Sequence, residues 1–264
     1  MAREAAIIVD CPEEQIISDM RDVHVRFGDV EHPFALLEAK AIRERFPSKS
    51  ASELVKVLDP ALHKFNQVRK ERLKLFPTVK ETLQTLKDMR VTIIGHTDSR
   101  SLAAIGRLER LGIIDFFDVI YCQMKHEAEH PIAERRLIWD QLFSKVMIKE
   151  LPRDEKKPDP QVLRDILESE RIVANECIFI GDSKSRDILM AKKAGVFAAW
   201  AKYGAWHDKE VYEKLIAISH WTKREVDEEL AYSAEAKQIE PNFVVERQFE
   251  ELLRFYRGAE ISAA

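Results

Sequence analysis

Short β-branched runs alternate with stretches of helical period along most of these 264 residues. That alternation constrains the fold more than any other feature, because it is the pattern of parallel strands joined by crossover helices. The runs at 6–9, 91–95, 118–121, 177–180, 196–200 and 242–245 are nearly continuous in apolar residues, as strands buried on both faces should be. Between them, apolar residues recur three and four apart over 78–89, 102–111, 161–167 and 188–194, which predicts helices that cover the sheet. The expected class is α/β, with a Rossmann-like three-layer core around a parallel sheet.

The segment 16–74 is too long for a simple crossover and reads as a small helical cap domain. It carries local start signals: Ser50 and Glu53 have capping-box spacing, and Asp59-Pro60 reads as an N-cap followed by a first-turn proline. The expected core therefore comprises 1–15 and 75–264, with insertions at about 123–153 and 203–241. The latter contains a second capping box at Thr222 and Glu225.

Lys and Arg total 42 against 46 Asp and Glu, a net charge of −4, so no global positive field points to nucleic acid or an anionic membrane. The cysteines Cys11, Cys122 and Cys177 are odd in number and widely spaced, suggesting neither a disulfide framework nor a zinc knuckle. The apolar run near the N-terminus is too short for a signal core, and no stretch approaches the roughly 20 apolar residues of a membrane span. A cytoplasmic monomer or homodimer is expected.

Chemistry-bearing residues gather at the predicted strand ends. Asp10 closes the first run, so its carboxylate is expected at the carboxyl edge of the sheet, where open α/β folds bind ligands. Thr97, Asp98 and Ser99 follow the second run and offer a hydroxyl and backbone amides to an oxyanion, although helix capping is the commoner use of such residues. Lys157 sits in Lys156-Lys157-Pro158-Asp159-Pro160, where prolines stiffen the approach of its ammonium. Gly181 permits a tight turn, and Asp182 and Asp187 straddle it, suited either to one hard cation or to decorating a first helical turn.

In this order the residues resemble the four motifs of the haloacid dehalogenase-like (HAD) hydrolase superfamily, helical-cap type: Asp10, Thr97, Lys157 with its Lys-Pro-Asp-Pro, and Gly181-Asp182-Ser183 with Asp187. The connecting residues Leu75 to Val79 and Leu108 to Asp118 also resemble that family. The resemblance implies a Mg²⁺-dependent phosphatase acting on a small phosphorylated substrate. Asp10 would form an aspartyl-phosphate, with Lys157 assisting catalysis. Thr97, Asp98 and Lys157 would bind the substrate, and Asp10, the Pro12 carbonyl, Asp182 and Asp187 would hold the metal. The first motif departs from the family at Pro12, where an acid/base aspartate is usual, and loss of such a group costs about 10²–10⁴ in rate. Glu13 or Glu14 is the nearest substitute. The departure leaves open a non-catalytic protein that binds a phosphorylated ligand or a protein partner, and also a dehalogenase or carbon–phosphorus hydrolase. Retention of Asp182 and Asp187 favours a cation and a phosphate-like substrate.

Other signals carry less. His126, Glu127 and His130 match a zinc-protease pattern, but Pro131 disfavours the continuous helix it needs. The basic run 63–74 reads as a solvated helix face. Cys11 reads as a structural cysteine. Trp200, Trp206 and Trp221 read as packing for the carboxyl-terminal segment.

Overall fold

The structure is a computed structural model that describes residues 1–32, 34–124, 131, 141, 143–205 and 209–256, with side chains of 209–212 excluded. The His126–His130 pattern and Trp206 lie outside the described residues. The chain forms a helical unit followed by an α/β core built on parallel strands, as the strand and helix alternation predicts.

The helical unit comprises α1 (Ala2–Val9), α2 (Glu13–Phe27), α3 (Lys40–Arg45), α4 (Ala51–Val57) and α5 (Asp59–Arg72). Its core joins Ala5, Ala6 and Val9 to Ile16, Met20, Val23, Leu36, Ile42, Leu54 and Leu58, all buried. Ser50 caps α4 through the predicted reciprocal box with Glu53. The prediction at Asp59 is off by one residue, since Asp59 already belongs to α5 and Leu58 precedes it as N-cap.

Two expectations are corrected at the N-terminus. The run 6–9 is not a strand but the end of α1, and residues 2–15 belong to the helical unit rather than to the sheet core. The cause is periodicity. Ala5, Ala6 and Val9 share one helical face that buries against the unit while Ile7 faces out at 69% exposure, and burial of that face outweighs the β-propensity of Ile-Ile-Val.

The core contains α6 (Val79–Asp88), β1 (Ile94–Arg100), α7 (Ser101–Leu111), β2 (Val119–Gln123), β3 (Met147–Leu151), α8 (Pro160–Glu170), β4 (Ile178–Gly181), α9 (Leu189–Ala194), β5 (Phe197–Ala201), α10 (Lys209–Ile218), α11 (Lys223–Ala236) and β6 (Phe243–Val245). These strands form two three-stranded parallel sheets, β1-β2-β3 and β4-β5-β6. β3 was not predicted, because Met-Ile-Lys-Glu-Leu alternates apolar and polar as a half-exposed edge does rather than running apolar. The observed strands start later than the predicted runs, most of all β1, which begins at Ile94 and continues through Arg100.

Burial follows strand position: the middle strand of the first sheet is buried and the edge strands are less so. Every residue of β2 is buried, whereas Ile93, Ile94, Ile178, Phe179 and Ile180 on or beside the edge strands β1 and β4 are only half-buried.

Candidate functional site

The carboxyl end of β1 is irregular. Thr97 pairs with Cys122 and Arg100 with Gln123, so Asp98 and Ser99 are extra residues in the ladder. A bulge of this kind re-aims side chains away from regular pairing. The Thr97 hydroxyl accepts the Ser99 amide at 3.1 Å, the local capping use that its residue type favours.

Asp98 projects from the bulge toward the segment before α8. Its Oδ1 accepts the Lys157 backbone N–H at 3.2 Å and its Oδ2 accepts Arg186 Nη1 at 3.3 Å. Asp159 then caps α8 by accepting the Gln161 amide at 2.8 Å, and Pro160 occupies the first turn, as the sequence predicts.

After β4 the chain turns at Gly181 into a wide helical turn, Lys184–Ile188, marked by the Ile188 amide donating to the Ser183 carbonyl at 3.1 Å. This turn folds Asp187 back over Gly181, where any Cβ would overlap the Asp187 side chain. Asp187 is thereby fixed: Oδ1 accepts Lys157 Nζ at 2.8 Å and Oδ2 accepts the Ser183 amide at 3.0 Å. Lys157 and Asp187 expose only 14% and 7% of their side chains, so the pair sits largely out of water. Asp182 is exposed, and its carbonyl accepts the Trp200 indole N–H at 2.9 Å.

His96 lies in β1, with its ring centroid 6.3 Å from that of Phe179 in β4. Neither ring nitrogen has a hydrogen-bond partner among the described residues. Burial, and secondarily the Lys157 charge, push its pKa down to about 3. Beside the site, burial followed by the Asp182 and Glu251 charges raises the Tyr203 hydroxyl to about 12.

Arg186 is a residue that sequence reasoning left without a role. Its Nε and Nη2 reach Glu229 Oε2 at 3.0 and 2.8 Å, while Ser185 donates to Glu229 Oε1 at 2.9 Å. Helix α11, opened by the predicted Thr222 and Glu225 capping box, is thus fastened to the turn carrying Asp187. Lys157, Arg186, Trp221, Glu229 and Tyr232 line a cleft of about 400 Å³. Nothing in the sequence pairs Arg186 with Glu229, 43 positions apart.

The site therefore brings together Asp98, Lys157 and Asp187, with Thr97 on the same strand end and Asp182 beside the same turn. Asp10 does not stand at a strand end. It is exposed at the C-cap of α1, with left-handed φ of 57°, and its carboxylate makes no hydrogen bond or ion pair among the described residues. Pro12 is the N-cap of α2, and its carbonyl accepts the Gln15 amide at 3.1 Å as the first turn of that helix requires. Glu13 and Glu14 are exposed in the same turn. The expected first motif is thus helical, and its proposed nucleophile, carbonyl ligand and substitute acids lose the strand-end position on which those roles depended.

The cysteines are free, and Cys11 is half-buried with its thiol pushed up by burial and then by the Asp19 and Asp10 charges. That agrees with a structural cysteine rather than a thiolate. Among the described residues no helix is long and apolar enough to cross a membrane.

Comparison with known proteins extends these observations. A phosphoglycolate phosphatase of Vibrio vulnificus strain YJ016 is 31% identical over 138 residues, covering 52% of this chain and 48% of that protein, so the chain spans about half the length of this relative. A glyceraldehyde 3-phosphate phosphatase of Methanopyrus kandleri is 23% identical over 209 residues, or 78% and 74% of the two chains. The crystal structure of a HAD phosphatase from Thermococcus onnurineus is 15% identical, with a TM-score of 0.43 over 98% and 93% of the two chains. The family model for haloacid dehalogenase-like hydrolases matches residues 12–195, from just beyond Asp10 to the end of the turn and helix that carry Asp187. With Thr97, Lys157, Asp182 and Asp187 all inside that match, the chain belongs to the haloacid dehalogenase-like hydrolases.

Proposed function

We propose that the Thr97, Lys157 and Asp182 region binds the phosphoryl group of a small phosphorylated molecule with Mg²⁺, and serves a phosphatase reaction. The observation that carries this reading is the Lys157–Asp187 pair, 2.8 Å apart and nearly buried, which fixes an ammonium at the strand ends. There it would meet phosphate oxygens, with backbone amides around the bulge as further donors.

Among the described residues no cluster of three or more His, Cys, Asp or Glu could by itself hold a metal ion, so Mg²⁺ would be held largely by water and the phosphate. Mg²⁺ takes one or two carboxylates together with water and phosphate oxygens, and Asp182 offers an exposed carboxylate. Both oxygens of Asp187 are engaged by Lys157 and Ser183, so Asp187 would support the site by holding Lys157. When bound, the ion supplies charge neutralisation of the transferring group. Asp10 has no part in this reading. Its position also favours a second one, in which these 264 residues bind a phosphorylated ligand without turnover.

Calorimetric titration with inorganic phosphate in Mg²⁺, run beside hydrolysis of a phosphomonoester panel, tests both readings. Lys157→Met and Asp182→Asn should each weaken phosphate binding about tenfold or more, equivalent to about 1.4 kcal/mol. Mg²⁺-dependent turnover supports the hydrolase, and binding without turnover supports the second reading. Phosphate affinity unchanged in both variants sinks the site.

A further inference from the structure

The segment that carries Lys157 is held by a helix outside the stretch matched to the family, which ends at residue 195. Helix α11 presents Glu225 and Glu229 one turn apart, and therefore on one face. Glu225 stands 3.9 Å from Lys156 Nζ. Glu229 takes Arg186 Nε and Nη2 on one oxygen, at 3.0 and 2.8 Å, and the Ser185 hydroxyl on the other, at 2.9 Å. Both acids thus reach residues that adjoin Lys157 and Asp187 in sequence.

Two bonds to one carboxylate fix the plane of a guanidinium, which a long and flexible side chain does not fix for itself. With that plane set, Arg186 Nη1 reaches Asp98 Oδ2, 3.3 Å away. The other Asp98 oxygen accepts the Lys157 backbone N–H at 3.2 Å. Lys157 is therefore held at both ends, its ammonium by Asp187 and its backbone by Asp98. Of the three side chains in this relay Glu229 is the least exposed, at 19% against 24% for Asp98 and 32% for Arg186, so its charge is the least screened by water.

We propose that Glu229 is a positioning residue for Lys157, acting through Arg186 and Asp98. Its carboxylate holds the Arg186 guanidinium against Asp98, and Asp98 in turn fixes the backbone from which the lysine side chain starts. Without the Glu229 charge, Arg186 keeps one bond, to Asp98, and is free to turn toward water, so Asp98 loses the cation that steadies it. The segment 203–241 is on this account a working part of the site rather than an appendage to it. The consequence for phosphate rests on the phosphate-binding reading given above, whereas the placement of Lys157 does not.

The full chain carrying Glu229→Gln, which keeps the shape and removes the charge, is followed without ligand by NMR-detected hydrogen–deuterium exchange, and with inorganic phosphate and Mg²⁺ by calorimetric titration. The Lys157 amide should exchange about threefold faster or more, and phosphate affinity should fall by about the same factor. In an Asp98→Ala or an Arg186→Met background, where the relay is already cut, Glu229→Gln should change neither quantity. An unchanged Lys157 amide in the single variant overturns the proposal. So does an undiminished effect in either background, which would show Glu229 acting by another route, or an unchanged affinity in a protein that binds phosphate. A parent chain that binds no phosphate sinks the phosphate reading alone, because the exchange measurement needs no ligand and still decides the placement of Lys157.

Discussion

The ammonium of Lys157 stands 2.8 Å from Asp187 Oδ1, with 14% and 7% of the two side chains exposed. Removing one member of a buried pair leaves the other uncompensated, at a cost of about 3–5 kcal/mol. Lys157→Met is therefore expected to destabilise the core by that amount in urea unfolding. The double variant with Asp187→Leu should recover much of the loss, and equal destabilisation by single and double variants would contradict the pairing.

Gly181 is required by space and not by an unusual backbone angle, since its φ is not among the positive ones. Gly181→Ala places a methyl against Asp187 and should cost about 1–3 kcal/mol as overpacking. Thermal unfolding checks this. In an Asp187→Ala background the same Gly181→Ala change should cost less than in the parent, because the obstructing group is then gone.

The helical unit is held to the core by an ion pair between Arg100 and Asp29, 2.7 Å apart with both residues buried. Arg100 also donates to the Met124 carbonyl at 3.1 Å and the Phe27 carbonyl at 3.4 Å. Asp29→Asn should cost about 3 kcal/mol and open the chain between residues 27 and 32 to limited proteolysis. Unchanged cleavage in that stretch would remove Arg100 as the fastening.

His96 makes the core acid-sensitive. Its pKa is about 3 in the fold against an ordinary 6.5, so below pH 6.5 the unfolded chain binds a proton that the native state refuses. Its contribution is intact above that pH and falls as the pH drops toward 3, by up to about 1.4 kcal/mol per pH unit. His96→Phe should flatten the slope of unfolding free energy between pH 6.5 and 4 relative to the parent. An unchanged slope would mean that His96 is protonated in the folded chain.

The parts legible in the sequence are those governed by local chemistry. The capping boxes at Ser50 and Thr222, the Asp159 and Pro160 helix start, and the turn after Gly181 all form where residue types dictate. The run 6–9 is not a strand because Val9, with Ala5 and Ala6, forms a helical face whose burial only the tertiary fold reveals, although Ile-Ile-Val has the composition of a strand. Asp10 fell with it. Arg186 and Glu229 escaped notice because a long-range ion pair leaves no trace in spacing. β3 escaped because its alternation is that of an edge.

The bulge at the end of β1 divides its residues between two bodies. Asp98 serves Lys157 and Arg186, while Ser99 accepts Arg107, itself paired with Glu31, and Arg100 reaches Asp29. A single peptide link thus separates contacts to Lys157 and the turn carrying Asp187 from contacts to the helical unit. The strand end that carries Thr97 is therefore a junction, its Ser99 and Arg100 held by the helical unit's contacts and its Asp98 by the core's.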